Sequence, residues 1–143
     1  MQANVLLVDD ELGFIETMTK RLTKRDLQVS TALSGQGALD QLKEHHGIEV
    51  VVLDVKMPGM DGIEALRRIK SEHPLVEVIM LTGHATVETA IEGMKLGAFD
   101  YLMKPCEIGE LMAKIEEAAI KKRQHETKIQ EARAQNIVLR RGD

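Results

Sequence analysis

Short uninterrupted apolar runs alternate along this chain with longer segments whose apolar residues recur every three or four positions. Val5-Leu6-Leu7-Val8 is the first run, and Val50-Val51-Val52-Leu53 is the plainest. Runs rich in β-branched residues and free of polar alternation predict strands buried on both faces, as in the interior of a parallel sheet. Leu27 to Ala32 does alternate, which predicts an edge strand with one wet face. Val76 to Leu81 and Ala98 to Met103 supply the fourth and fifth strands.

Between these runs the period changes to that of a helix. Phe14, Ile15, Met18 and Leu22 share one face, as do Ala38, Leu39 and Leu42 after the capping residue Ser34 and before Gly47. Asp61 caps a third helix through Ile63, Leu66 and Ile69, and Thr86 opens a fourth whose apolar positions are Val87, Ala90, Ile91 and Met94, stopped by Gly97. Glu107 opens the last, with Leu111, Met112, Ile115, Ala118 and Ala119 facing the core. Five strands alternating with five helices over such short connections require right-handed crossovers and a parallel sheet covered on both faces. The expected fold is therefore α/β, a flavodoxin-like doubly wound (βα)5 sheet in strand order 2-1-3-4-5, with strands 1 and 3 flanking the reversal point.

At 143 residues the chain has room for one core and a short extension. Residues 1–120 carry 12 Lys and Arg against 20 Asp and Glu, whereas residues 121–143 carry 7 against 3. An acidic body does not suit a phosphate backbone, so direct nucleic-acid binding by this chain is not expected. An aromatic content of 2% also leaves little for base stacking. No apolar run approaches a membrane span or signal peptide, so a cytoplasmic protein without a membrane partner is expected. The single cysteine, Cys106, reads as a small side chain near a helix start.

In the expected strand order the ends of strands 1, 3, 4 and 5 converge at the carboxyl edge, where open α/β sheets place their ligands. That brings together Asp9, Asp10, Asp54, Thr82 and Lys104. Taken singly, each is commonplace: a turn-forming Asp, a helix-capping acidic pair, two loop residues. Together they are not. Close carboxylates repel by roughly 4 kcal/mol per pair at an effective dielectric near 20, so they need a cation, and oxygen-only ligands select a hard ion such as Mg2+. A carboxylate is also a competent phosphoryl acceptor. Lys104 and the metal would neutralise charge on transferred oxygens, the Thr82 hydroxyl would donate to one of them, and Gly83 would leave the approach open.

Val8-Asp9-Asp10-Glu11, Leu53-Asp54-Val55-Lys56-Met57-Pro58-Gly59-Met60-Asp61-Gly62, Leu81-Thr82-Gly83 and Tyr101-Leu102-Met103-Lys104-Pro105 together resemble the receiver domain of two-component response regulators. The resemblance covers about residues 3–120. Within the family, the stretches from Gly83 to Ala90 and from Gly97 to Tyr101 most resemble the NtrC-like class, whose full-length members regulate transcription. The resemblance implies that Asp54 is the phosphoacceptor, supplied by a sensor histidine kinase. It implies that Asp10 and Asp54 are side-chain Mg2+ ligands, that Lys56 is a ligand through its backbone carbonyl, and that Asp9 acts through metal-bound water. Thr82 and Tyr101 would be the switch pair, Lys104 the phosphate counter-ion before a cis Pro105, and Lys56 and His84 residues that flank the acceptor and tune hydrolysis. A phosphoryl group adds about 1.5 to 2 negative charges, so Thr82 would be drawn toward it and Tyr101 would turn into the space vacated. The face made by the fourth helix, fifth strand and fifth helix would change. Apart from Thr82 and Lys104, Tyr101 would read as an ordinary half-buried strand aromatic.

The expected division is a receiver unit over 1–120 and a helical extension or linker over 121–143. Leu111, Ile115, Ala118, Lys122, His125, Ile129, Ala132, Asn136 and Leu139 follow one heptad track, but its polar positions make a poor coiled coil. The extension is either a solvated helix or a surface for dimerisation, so a homodimer would form through it or through the fourth-helix face. Too few residues follow for a helix-turn-helix or ATPase module, which leaves a stand-alone receiver or part of a larger regulator. Two other classes compete. A haloacid-dehalogenase-like Mg2+ phosphohydrolase would need a second Asp two positions after the first, where Lys56 stands, and would turn over p-nitrophenyl phosphate. A flavin carrier would set its cofactor's phosphate against Asp9-Asp10-Glu11, and would be yellow.

Overall fold

The computed structural model describes residues 2–140, with side-chain surroundings through Asn136. In chain order the elements are β1 (Asn4–Val8), α1 (Leu12–Thr23), β2 (Gln28–Ala32), α2 (Gly35–Glu44), β3 (Val50–Leu53), α3 (Gly62–Glu72), β4 (Glu77–Thr82), α4 (Val87–Lys95), β5 (Asp100–Met103) and α5 (Ile108–Arg140). The strands pair in parallel in the order β2-β1-β3-β4-β5, as the flavodoxin-like reading expects. β2 takes an edge with its middle residues half-buried, in keeping with its alternation.

Side chains alternate across a pleated sheet, and here the alternation builds two cores. Val5, Leu7, Val50, Val52, Ile79 and Leu81 pack under α1 and α5, against Ile15, Met18, Leu22, Leu111 and Ile115. Leu6, Val8, Val51, Leu53, Val78 and Met80 face the other way, against Leu39 and Leu42 of α2 and Ile63, Leu66 and Ile69 of α3. The caps read from sequence form. The side chains of Ser34 and Asp61 accept from the backbone N–H groups of Gly37 and Glu64, while Thr86 and Thr89 cap one another.

Helix α4 departs from its sequence pattern. Val87, Ile91 and Met94 hold helical spacing yet are exposed; Gly93 is the residue of α4 that is buried. A Cβ on Gly93 would lie 3.6 Å from the Tyr101 ring, an ordinary van der Waals contact, so this is the side of the helix that rests against β5. Gly93 sits about 100° around the helix from Met94, and contact through the glycine turns the apolar stripe outward.

Helix α5 passes residue 120 without interruption. Its continuation is tied to the amino-terminal edge of the sheet, where Glu49 and Glu77 are buried at the entries to β3 and β4. Arg123 donates to both oxygens of Glu49, at 2.6 and 2.9 Å, and to the Gln2 carbonyl at 2.8 Å. Lys121 and Lys70 each stand 3.4 Å from the Glu77 carboxylate. From Thr127 to Asn136 every side chain is exposed, and the heptad position Leu139 falls outside the residues whose side chains are described. Among the described residues no helix is long and apolar enough to cross a membrane.

Two outcomes test this architecture. A Cβ on Gly62 would lie 2.0 Å from the Asp54 carbonyl oxygen, in a turn closed by the 2.6 Å bond from the Gly62 N–H to the Val55 carbonyl. Gly62→Ala should lower the unfolding free energy by about 3 kcal/mol in urea titrations. Burial disfavours the Glu49 charge, but hydrogen bonds from Arg123 and the Asn4 N–H outweigh it and hold this carboxyl below the usual range. A carboxyl depressed in the folded state stabilises above its unfolded value, about 4.3, and that contribution is lost as pH falls through the folded value. Glu49→Gln should therefore cost roughly 1–3 kcal/mol at pH 7 and progressively less below about pH 4. Denaturant titrations across pH would reveal an unchanged difference if the ion pair were inconsequential.

Candidate functional site

The backbone ladder carries β1, β3 and β5 one residue past their ends. The Asp54 N–H donates to the Val8 carbonyl at 3.0 Å, the Asp9 N–H to Ala32 at 3.2 Å, and the Lys104 N–H to Thr82 at 2.9 Å. The residues that follow the apolar runs are thus held as firmly as strand residues. Because Val8 is in register with Leu53, and Thr82 with Met103, Asp9 and Asp54 leave the sheet at one height, with Thr82 and Lys104 beside them. Asp9, Asp54 and Thr82 are 1%, 2% and 0% exposed.

The Lys104 ammonium lies 2.5 Å from Asp9 Oδ2 and 4.0 Å from Asp54 Oδ2. Asp9 Oδ1 accepts from the Glu11 N–H at 2.9 Å, and Asp54 Oδ1 from the Val55 N–H at 2.8 Å. Asp54 is therefore pinned by one oxygen, and the other faces Lys104 beyond hydrogen-bond length. Burial pushes the Asp9 carboxyl above its ordinary range. The hydrogen bonds from Lys104 and Glu11 pull it back only in part, and the nearby Asp54 charge adds to the rise. One ammonium does not satisfy this much buried negative charge.

Carboxylate oxygens of Asp9, Glu11 and Asp54 lie within 4.8 Å of one another. An all-oxygen, anionic donor set held this closely fits a hard divalent cation such as Mg2+. Glu11, which the sequence reading quoted only within its motif, joins this group, whereas Asp10, named there as a ligand, stands exposed outside it. Asp10, Glu11, Lys56, Met57, Pro58 and His84 instead line a cavity of about 430 Å3 over the mouth. Gly83 is exposed, and a Cβ there would meet nothing within 4 Å.

The Thr82 oxygen accepts from the His84 N–H at 3.0 Å, which leaves the hydroxyl proton free. Tyr101 is half-buried, with its phenol 2.7 Å from the Thr89 hydroxyl. Thr89 went unnoticed in the sequence, although it lies three residues after the cap Thr86, where a capping box places its second side chain. Phe14 was read only as a core residue, yet its ring lies under the Lys104 ammonium, 3.9 Å from centroid to Nζ. The Lys104-Pro105 bond is cis. Burial and the neighbouring Glu110 push the Cys106 thiol up, away from the reactive thiolate.

The profile of the response regulator receiver domain matches residues 5–116. The transcriptional regulatory protein ZraR of Escherichia coli K12 is 38% identical over 115 residues, 80% of this chain and 26% of that protein. The DNA-binding transcriptional regulator NtrC of Klebsiella pneumoniae is 38% identical over 112 residues, 78% of this chain and 24% of that protein. The chain thus spans about a quarter of the length of these relatives. Among solved structures, a response regulator receiver domain protein from Clostridium thermocellum superposes with a TM-score of 0.81 at 37% identity, covering 85% of this chain and 98% of that one. NtrX from Brucella abortus in complex with ADP gives 0.81 at 29% identity, covering 89% and 29%. The sheet order, the carboxyl-edge cluster and these likenesses agree: this chain belongs to the response regulator receiver domain family of two-component systems, with NtrC-like regulators among its relatives.

Proposed function

We propose that this receiver accepts a phosphoryl group on Asp54 from a phosphohistidine of a sensor histidine kinase, in a Mg2+-dependent reaction, and thereby acts as a signalling switch rather than a turnover enzyme. The observation that carries the reading is the Asp54 carboxylate, buried beside Asp9, with Oδ1 tied to Val55 and Oδ2 turned to Lys104. Oδ2 is the attacking oxygen. Its bond to phosphorus forms as the bond to the donor imidazole nitrogen breaks, and the departing imidazole is reprotonated by solvent. Fixing Oδ1 orients the lone pairs of Oδ2 before the donor arrives, which removes part of the entropic barrier. Lys104 neutralises charge on the transferred oxygens, and the free Thr82 proton is donated to one of them.

Asp10 and Asp54 side chains and the Lys56 carbonyl would hold Mg2+, with Asp9 behind them and Glu11 adding charge beside them. When bound, the ion supplies the positive charge that this acidic cluster lacks. Lys56 and His84, exposed at the mouth, tune how water reaches the acyl phosphate, and Gly83 keeps that approach open. In this reading the receiver unit is residues 1–120, and 121–143 is a helical extension or a linker. Thr82 would give a phosphoryl oxygen the proton that its bond from the His84 N–H leaves unused, and for Tyr101 to turn inward it must leave Thr89. The surface altered is that of α4, β5 and α5, where Val87, Ile91, Met94 and Met103 are exposed. A second copy meeting this face, or a fused domain controlled by it, is the proposed output. The long relatives named as transcriptional regulators favour control of gene expression, through parts of a protein other than this receiver.

Incubation with acetyl phosphate and Mg2+ should give one hydroxylamine-labile phosphate per chain. Asp54→Asn or EDTA should reduce it by more than about 100-fold, which intact-mass spectrometry reads directly. Labelling of Asp54→Asn at the wild-type rate would sink the assignment. Native mass spectrometry with beryllofluoride, a mimic of the acyl phosphate, should show dimer, and should show monomer without it. Substituting Ile91→Lys on α4 should abolish that shift, whereas an unaltered dimer would move the interface elsewhere.

A further inference from the structure

We infer that Phe14 is a positioning residue for Lys104, holding its ammonium beside the acceptor carboxylate with the face of its ring. The inference rests on the reading of Asp54 as acceptor and Lys104 as counter-ion, and deepens it. Phe14 lies on α1 one helical turn after Asp10, half-buried, with Lys104 Nζ 3.9 Å from the ring centroid. An ammonium within about 6 Å of an aromatic face is attracted by the ring quadrupole, and more strongly when water is partly excluded. The Lys104 side chain is 17% exposed, so the partly dry case applies.

The chemistry of the contact matters more than its strength. A lysine ammonium has three N–H donors. One meets Asp9 Oδ2, and Asp54 Oδ2 is 4.0 Å away on the side where a phosphoryl group would arrive. A further carboxylate in the place of Phe14 would occupy another donor and offset the charge that the incoming oxygens need. A ring face attracts the cation without an acceptor lone pair, so the remaining N–H groups stay available. The ring also walls a cavity of about 360 Å3 shared by Lys104, Met18, Leu81 and Arg21. Without the ring, the flexible lysine chain would have that space to swing into. Because the ammonium is already close to Asp54 while resting on the ring, it need not leave Phe14 to meet the new oxygens.

The test is beryllofluoride binding to the full chain with Mg2+, followed by fluorine NMR, for Phe14→Leu and Phe14→Tyr in wild-type and Lys104→Ala backgrounds. Phe14→Leu, which keeps apolar bulk but has no quadrupole, should weaken binding roughly three- to tenfold. Phe14→Tyr should stay within about twofold of wild type, and in Lys104→Ala the leucine substitution should have no further effect. Equal weakening by leucine and tyrosine, or a leucine effect that persists without Lys104, would reduce Phe14 to packing and overturn the inference. No change in Phe14→Leu would overturn it too. Failure of the wild-type chain to bind beryllofluoride would instead strike the acceptor reading itself.

Discussion

Everything at the carboxyl edge depends on an unfinished compensation of charge. Two buried carboxylates, Asp9 and Asp54, face one lysine that comes from the far end of the fold, and Glu11 adds a third negative group within reach. At a few Å each uncompensated pair costs about 4 kcal/mol, so the cluster is compatible with a divalent cation as a further source of positive charge beside Lys104. A parallel sheet is what makes such a cluster affordable. All its strands end on the same side, so residues remote in sequence reach one point while their backbones stay fully hydrogen-bonded.

Much of this was legible in the chain. Apolar runs without alternation marked β1, β3 and β4, alternation marked the edge strand β2, and the residues terminating each run were those found at the cluster. What escaped was set by helix phase and by long-range register. Val87, Ile91 and Met94 have helical spacing, but spacing does not say which side of α4 will face the sheet. Likewise adjacent acidic residues give no sign that the Glu11 carboxylate, and not that of Asp10, lies in the group with Asp9 and Asp54. The contact of Phe14 with Lys104 joins two elements 90 positions apart that become neighbours only through the order of the strands. Arg123 and Glu49, 74 residues apart, meet for the same reason.

The two hydroxyl groups behind the site, on Thr82 and Tyr101, are each held by one hydrogen bond to a neighbour in or beside α4. A single neutral hydrogen bond contributes about 1 kcal/mol net, whereas bonds to a charged acceptor contribute roughly 1.5–3. In the proposed switch, a bond from Thr82 to a charged phosphoryl oxygen would add to the one it accepts from the His84 N–H, since the two use different sites of the hydroxyl. Helix α4, with Gly93 as its buried residue, is held to the sheet by few apolar side chains.

The glutamates at the other pole give the architecture a direction. β3 lies between Glu49 and Asp54, and β4 runs from Glu77 to Thr82, so both glutamates clamped to α5 sit behind residues of the carboxyl edge. A four-residue strand is about 13 Å long, which sets the least separation between the two ends. The part of α5 beyond Arg123 therefore leaves the domain at the pole opposite the acidic cluster. The two poles are separate surfaces, and contact at one leaves the other uncovered.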